Sequence, residues 1–473
     1  MKPLLVALRT ILSLDTRSLA LYRIALGLVL LGDLLMRSHM LVEHYTDEGM
    51  LPRVDLIMSN WQEGTFSVLM LNGTVWFAVL FFVVFGLACV CLSLGFFPHI
   101  AILICWVAYI SLNFRNPFAN NSGDFMMLIF LVWSFFLPFN HHFSVRPSRK
   151  RLTTNEHFSG VSALFVIQIS VIYFSSAILK SGYHWTSGVA VSYALQMTYY
   201  TSDMGRWLLS LPSSVHAALT YGSYYLEKYI ILLVFIPFKN SWFRLLVFLS
   251  YWCLHLGFVV FLSIGAFPWY CMAFWLAMLP RGVWDGLGIA RKRGDEDEFE
   301  KREGLLSQVL SLTRHAFGVA MIGLVLFLNF IKIDFENTPP VVLKILYHFK
   351  MSQSWGMFAP NAAEVASWVS AKAETRQGQF IDILAEGKPY QDSHFDHQVF
   401  NCRHRKYLVS LMDSKLESIS EPFAHYIFRD WNRANPTNQI VSLTVYRNLK
   451  SLSVDPKKAG KVRSSTLFEI KKP

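Results

Sequence analysis

Charge is scarce in this sequence. Asp, Glu, Lys and Arg make up 16% of its 473 residues, against about 25% in soluble domains. Hydrophobic residues make up 53%, more than one water-soluble core can hide. The chain has no Walker loop, no dinucleotide fingerprint and no Gly-x-Ser-x-Gly, so the commonest nucleotide and acyl-transfer sites are missing. Its six cysteines include no Cys-x-x-Cys, and Cys89, Cys91, Cys105, Cys253 and Cys271 lie inside apolar runs. That arrangement argues against a disulfide framework and a thioredoxin-like redox site. Residues 1–16 lack the small-residue cleavage site of a signal peptide, which leaves the first apolar run as an uncleaved insertion signal. There is no tandem repeat. Neither an inverted repeat nor a Gly/Pro-broken helix pair supports a transporter.

What is present is a series of apolar runs. A membrane span takes about 20 residues. The candidates are Leu19–Met36, Val75–Phe97, Ile100–Asn113, Phe125–Phe139, Val161–Lys180, Gly222–Phe238, Phe243–Leu262, Ala266–Leu279 and Phe317–Ile331. Four of these are short, so the fold expected is a polytopic α-helical membrane protein of eight or nine spans. A formal net charge of +11 could suggest nucleic acid, but the basic residues sit between the apolar runs and read as topology signals. With nine spans and a cytoplasmic N-terminus, Arg9, Arg17, Arg146, Arg149, Lys239, Arg244, Arg281 and Arg291 all fall inside, as the positive-inside rule requires. The C-terminus is then external. Short loops and the lack of disulfides favour a bacterial inner membrane over the endoplasmic reticulum, with membrane lipid as one partner and no nucleic acid.

From about Val341 the pattern changes. Ala366–Thr375 and Gln379–Ala385 flank Arg376-Gln377-Gly378, a hairpin turn with glycine where positive φ is needed. His404–Asp413 and Glu421–Asn432 read as helices, and Ile440–Asn448 alternates as a strand does. The division expected is a membrane domain over 1–335, an extramembrane α+β domain over 341–455 that could bind a protein partner, and a loose basic tail over 456–473. Trp355, Met357 and Phe358 need a burial partner, so the external domain is expected to pack on the membrane domain.

Charges inside spans are costly and usually pair or work. Arg23 and Asp33 share the first span, about 15 Å apart along a helix, too far to pair directly. Each is expected to pair with a neighbouring helix. Tyr173, Ser176 and Lys180 recur at helical spacing and are expected on one face. Lys180, desolvated by Phe174, Ile178 and Leu179, could act as a base or snorkel to the outer boundary. Trp185 could anchor at that interface. Glu227 and Lys228 open the sixth span as an interhelical pair or a headgroup contact. His255 lies mid-span, where a lone histidine is more often a satisfied hydrogen-bonder than a catalyst. His394, His397, Cys402 and His404 are zinc-type ligands, but their spacing fits no zinc motif, so no metal is expected.

Several of these segments together resemble the horizontally transferred transmembrane domain (HTTM) family, whose best-known members are the vitamin K-dependent gamma-carboxylases. Leu21-Tyr22-Arg23-Ile24-Ala25-Leu26-Gly27 resembles the family's opening motif, and Asp33 fits the acidic position after it. Ile172-Tyr173-Phe174 through Lys180 to Trp185 resembles the carboxylase segment that ends in a catalytic lysine. His255 with Ser263-Ile264-Gly265 matches a histidine and Ser-Ile-Gly at the same separation. Ser354-Trp355-Gly356-Met357 and the hairpin resemble the start of the family's β-rich domain. The resemblance covers Ser18 to Leu384. It implies a membrane enzyme in which Lys180, supported by His255, is a base acting on a quinone-like lipid, as the carboxylase lysine deprotonates reduced vitamin K. Tyr173, Ser176, Asn120, Asn121 and Trp185 would line the cavity, while Arg23, Asp33 and Glu227 would be structural charges. Asn120-Asn121-Ser122 stands where the carboxylases have Asn-Asn-His, and Leu179-Lys180 where they have paired lysines. Glutamate carboxylation itself is therefore not carried over. The alternative is a non-catalytic membrane scaffold with a structural lysine.

Overall fold

The computed structural model describes all residues except 1, 62–63, 149–153, 198, 290–304, 331–339, 352–354, 392–400, 414–417, 455–458 and 472–473. A short exposed helix α1 (Lys2–Leu12) precedes the helical bundle. The bundle contains α2 (Thr16–Ser38), α3 (Val75–Leu94), α4 (Pro98–Arg115), α5 (Ser122–Phe135), α6 (Gly160–Leu179), α7 (Ser213–Tyr229), α8 (Asn240–Phe261), α9 (Phe267–Leu276) and α10 (Leu305–Phe330). Among the described residues five helices, α2, α3, α4, α6 and α8, are long and apolar enough to cross a membrane. Helix α5 and the segment His315–Asn329 are shorter apolar helices. Phe267–Leu276 has 10 residues, and the expected span Gly222–Phe238 is broken: α7 gives way to a 3-10 turn at Ile230–Phe235. That turn stops just before Pro237, which cannot donate a backbone hydrogen bond.

Local chemistry sets the helix ends. The Asp15 side chain caps α2 by accepting from the Arg17 N–H. Gly95 ends α3 with φ 72°, a conformation that favours glycine, and Pro98 starts α4. Helix α5 opens on a capping box of Asn121 and Asp124. Where α6 and α10 touch, Gly160 and Gly318 meet: a Cβ on Gly318 would lie 2.2 Å from the Gly160 carbonyl carbon. Small residues let membrane helices approach this closely.

The C-terminal residues form an antiparallel five-stranded sheet from β1 (Val365–Thr375), β2 (Phe380–Asp382), β3 (Lys388–Pro389), β4 (Ile440–Ser451) and β5 (Arg463–Ile470), in the order β3-β2-β1-β4-β5. Gly378 has φ 77° in the β1–β2 turn, as expected. The tail is a correction. Arg463–Ile470 is not loose but pairs along β4, because alternation is weak on an edge strand and its basic neighbours masked the signal. Helices α11 (Cys402–Ser410) and α12 (Ser420–Ala434) accompany the sheet. Val369, Ala371 and Ala373 alternate inward and meet Phe423, Ala424 and Ile427 of α12 in one core.

That core does not stop at the sheet. Met50, Leu51, Leu56, Phe118 and Ala119, from the segments that connect the bundle helices, belong to it. Trp355 packs into the bundle's own core. The sheet region is thus joined to the helices by shared apolar burial, which removes both surfaces from water.

Candidate functional site

Two buried ionic arrangements lie at the end of the bundle that carries the sheet. The first is built on Lys180. This residue caps α6 with φ −76° and ψ 56°, so the helical projection that groups Tyr173, Ser176 and Lys180 ends at Leu179. The lysine turns to α7 and forms an ion pair with Glu227. Both residues are 5% exposed. The Lys180 Nζ also lies 4.7 Å from the centre of the Trp185 ring, within cation–π range. Trp185 is buried and donates through Nε1 to the Phe358 carbonyl at 2.8 Å, and so is not an interface anchor.

Lys180, Trp185 and Glu227 form one wall of a cavity of about 240 Å³. Its other walls are largely apolar, including Ala194, Leu195, Leu219, Leu254, Phe258 and Phe261, with Ser223 the polar exception. An apolar cavity with a few convergent polar groups is the usual form of a small-molecule site. Neither Tyr173, Ser176 nor His255 is among the residues lining it. Ser176 is buried. Tyr173 and His255 form a cluster of their own, with the Tyr173 hydroxyl 2.6 Å from His255 Nε2 and 2.9 Å from the donating Trp275 Nε1. Lys228, expected with Glu227, points elsewhere and donates to the Tyr224 hydroxyl.

The second arrangement was invisible along the chain. Asp33 pairs with Arg37 one turn later at 2.7 Å and with Arg403 of α11 at 2.9 Å. Arg37 also reaches Asp124 at 2.9 Å, and Arg403 pairs with the same carboxylate. Two acids and two arginines therefore close a ring, each residue 5% exposed or less. The Tyr109 hydroxyl donates to Asp124 and the Tyr45 hydroxyl accepts from Arg37, both at 2.7 Å. Asp33 could be read as a structural charge, but nothing in the sequence marked Arg403, 370 residues away.

Arg403 is part of a wider insertion. Arg405 donates to the carbonyls of Tyr199 and Ser263, the Ser410 hydroxyl to that of Phe118 at 2.9 Å, and Asn401 to that of Met36 at 3.1 Å. Helix α11 thus enters the bundle along its length. His404 stands edge-on to His44, with ring centres 5.7 Å apart, and burial pushes its imidazole down to about 4. No metal-type cluster occurs among the described residues, and His394 and His397 lie outside them.

The remaining expected residues are structural in their contacts. Arg23 binds no carboxylate among the described residues; it donates to the carbonyls of Phe139, at 3.2 Å, and Phe143. Asn121 caps α5. Asn120 donates to the Asn113 carbonyl at 2.8 Å, while its Oδ1 is buried with no partner among the described residues. Sequence reasoning also missed Lys350, whose ammonium lies 4.2 Å from the Phe114 ring centre and 4.8 Å from that of Tyr347. Burial lowers its pKa to about 8.

No curated protein and no solved structure matches the chain. A family model described as the HTTM domain matches residues 12–281. That range contains the five long apolar helices, Asp33, Asp124 and the Lys180–Glu227 pair, and it covers more than half of the sequence, so the chain belongs to the HTTM family.

Proposed function

We propose that this protein binds a quinone-like or comparably amphipathic lipid in the Lys180 cavity and exchanges a proton with its polar head. The observation that carries the reading is a buried Lys180–Glu227 pair on one wall of an otherwise apolar cavity. An apolar tail suits the Leu and Phe walls, and a hydroxyl or carbonyl head suits the ion pair. Glu227 is the proton acceptor in this scheme: a lipid hydroxyl passes its proton to the carboxylate oxygen, and the Lys180 ammonium lies beside the oxyanion left behind. The resemblance to the gamma-carboxylases supports proton chemistry on a quinol at this position, although there the lysine is the base and here the carboxylate paired with Lys180 takes that role. The reading stops before glutamate carboxylation, since Ser122 stands in place of the family's histidine. Untargeted lipid mass spectrometry on the purified protein is expected to recover one amphipathic lipid in near-stoichiometric amount. Recovery of bulk membrane lipid alone would sink the proposal.

The insertion of α11 favours a second reading. Arg403 and Arg405 lock the sheet region onto the bundle, as a static scaffold presenting that region to a protein partner requires. The same mass-spectrometric result separates the two.

The topology belongs to this proposal as well: nine spans, an N-terminus in the cytoplasm of a bacterial cell, and the sheet region outside the inner membrane. Loop charge supports it. Reporter fusions after residues 293 and 361 are expected to report opposite sides, and the same side for both would overturn the nine-span topology.

A further inference from the structure

The opposite end of the bundle holds a different site. Helix α2 has 23 residues, about 35 Å of rise, with the Asp33 ring near its C-terminus. At its start lies a cavity of about 360 Å³ whose walls include Arg9, Lys239, Arg244 and Arg281. The carboxylates lining it are Asp15 and Glu156. Asp15 is paired to Arg17 at 2.7 Å and Glu156 to Arg281 at 3.7 Å. The wall therefore carries an excess of positive charge.

Arg244 is the most telling residue. It is 6% exposed, and two of its nitrogens donate to the carbonyls of Ser13 and Ile11. Its Nε is buried with no hydrogen-bond partner among the described residues. Among the described residues no carboxylate is in ion-pair contact with it. Glu156 acts on it only electrostatically, from beyond ion-pair distance; a buried cation without a contacting counter-ion is costly, and an anion in this cavity would supply one. The cavity also meets the N-terminus of the 22-residue helix α8 through Asn240 and Ser241. Unpaired N–H groups and the helix dipole make such an end an anion site.

The surroundings point to a lipid as the source of that anion. Leu4, Leu5 and Val6 of α1 are 64%, 57% and 65% exposed, and Val6, Leu14 and Leu279 also line the cavity. A short helix with exposed apolar residues beside a basic pocket suits the interface plane, where a headgroup would lie beside it. We propose that this cavity binds the phosphate-bearing headgroup of an anionic phospholipid, with Arg244 and the α8 N-terminus at the phosphate and Arg9 and Lys239 at its rim.

The test uses the full-length protein in nanodiscs containing equal amounts of phosphatidylglycerol and phosphatidylcholine. Native mass spectrometry is expected to show selective retention of phosphatidylglycerol. Arg9 and Lys239 are exposed, so the double variant Arg9→Gln/Lys239→Gln should fold while losing about thirtyfold in that preference, given the usual contribution of two juxtamembrane basic residues. Equal retention of the two lipids overturns the proposal. So does a double variant with unchanged preference. Loss of the retained lipid in millimolar inorganic phosphate, with phosphate taking its place, would assign the site to a free anion and overturn the lipid assignment.

Discussion

Replacing Arg403 by alanine is expected to cost about 3–5 kcal/mol of stability, the usual loss when one partner of a buried ion pair is removed. The guanidinium bridges Asp33 and Asp124. Without it, two carboxylates share the single cation of Arg37, and a net negative charge stays where water cannot reach. Arg403→Lys should fall between wild type and alanine, because an ammonium keeps the charge but loses the planar fork that spans two carboxylates. The exposed pair of Arg433 and Asp430 provides the control: Arg433→Ala should leave stability nearly unchanged, since surface pairs contribute little. Thermal unfolding of the detergent-solubilised protein reads all three variants. An Arg403→Ala protein as stable as wild type would mean that the ring is hydrated, and that the sheet region is held by its apolar core alone.

How much of this was legible in the sequence depends on the range of the interaction. Apolar runs are local, so the long spans emerged with ends off by a few residues. The broken helix before Pro237 was missed because composition there is uniformly apolar and hydropathy does not register hydrogen-bond pattern. Edge strand β5 was missed because its neighbours are basic and its alternation is half exposed. The site divides along the same line. Lys180 and Glu227 each stand out in the sequence as charges at span ends. Tyr173, Ser176 and His255 were grouped with Lys180 by helical spacing or by resemblance. One non-helical residue at the end of α6 undid the spacing. Arg37 and Asp124 look like ordinary polar residues near a span end, Arg403 like one in the extramembrane domain, and only the insertion of α11 makes them one ring.

Lys180→Ala is expected to be comparably damaging, at about 3–5 kcal/mol, because it leaves Glu227 buried and unpaired. Loss of protein in that variant says nothing by itself about lipid chemistry, since a structural pair and a binding pair would both produce it. The double variant Lys180→Leu/Glu227→Leu resolves the ambiguity. Replacing a whole buried ion pair by apolar residues is often neutral, or stabilising by about 1–4 kcal/mol, so the double variant should accumulate and unfold near the wild-type temperature. Its cavity would then carry no charge, with Ser223 still on its wall and Trp185 still held by the Phe358 carbonyl. If the pair anchors a polar lipid head, the stable double variant should lose the co-purifying lipid while keeping its fold. If the pair is only structural, the double variant should retain whatever lipid the wild type carries, because the apolar walls are intact. The reverse pattern, a stable Lys180→Ala protein that still binds its lipid, would show that Glu227 is not left stranded and that the ion pair contributes neither to the fold nor to the site.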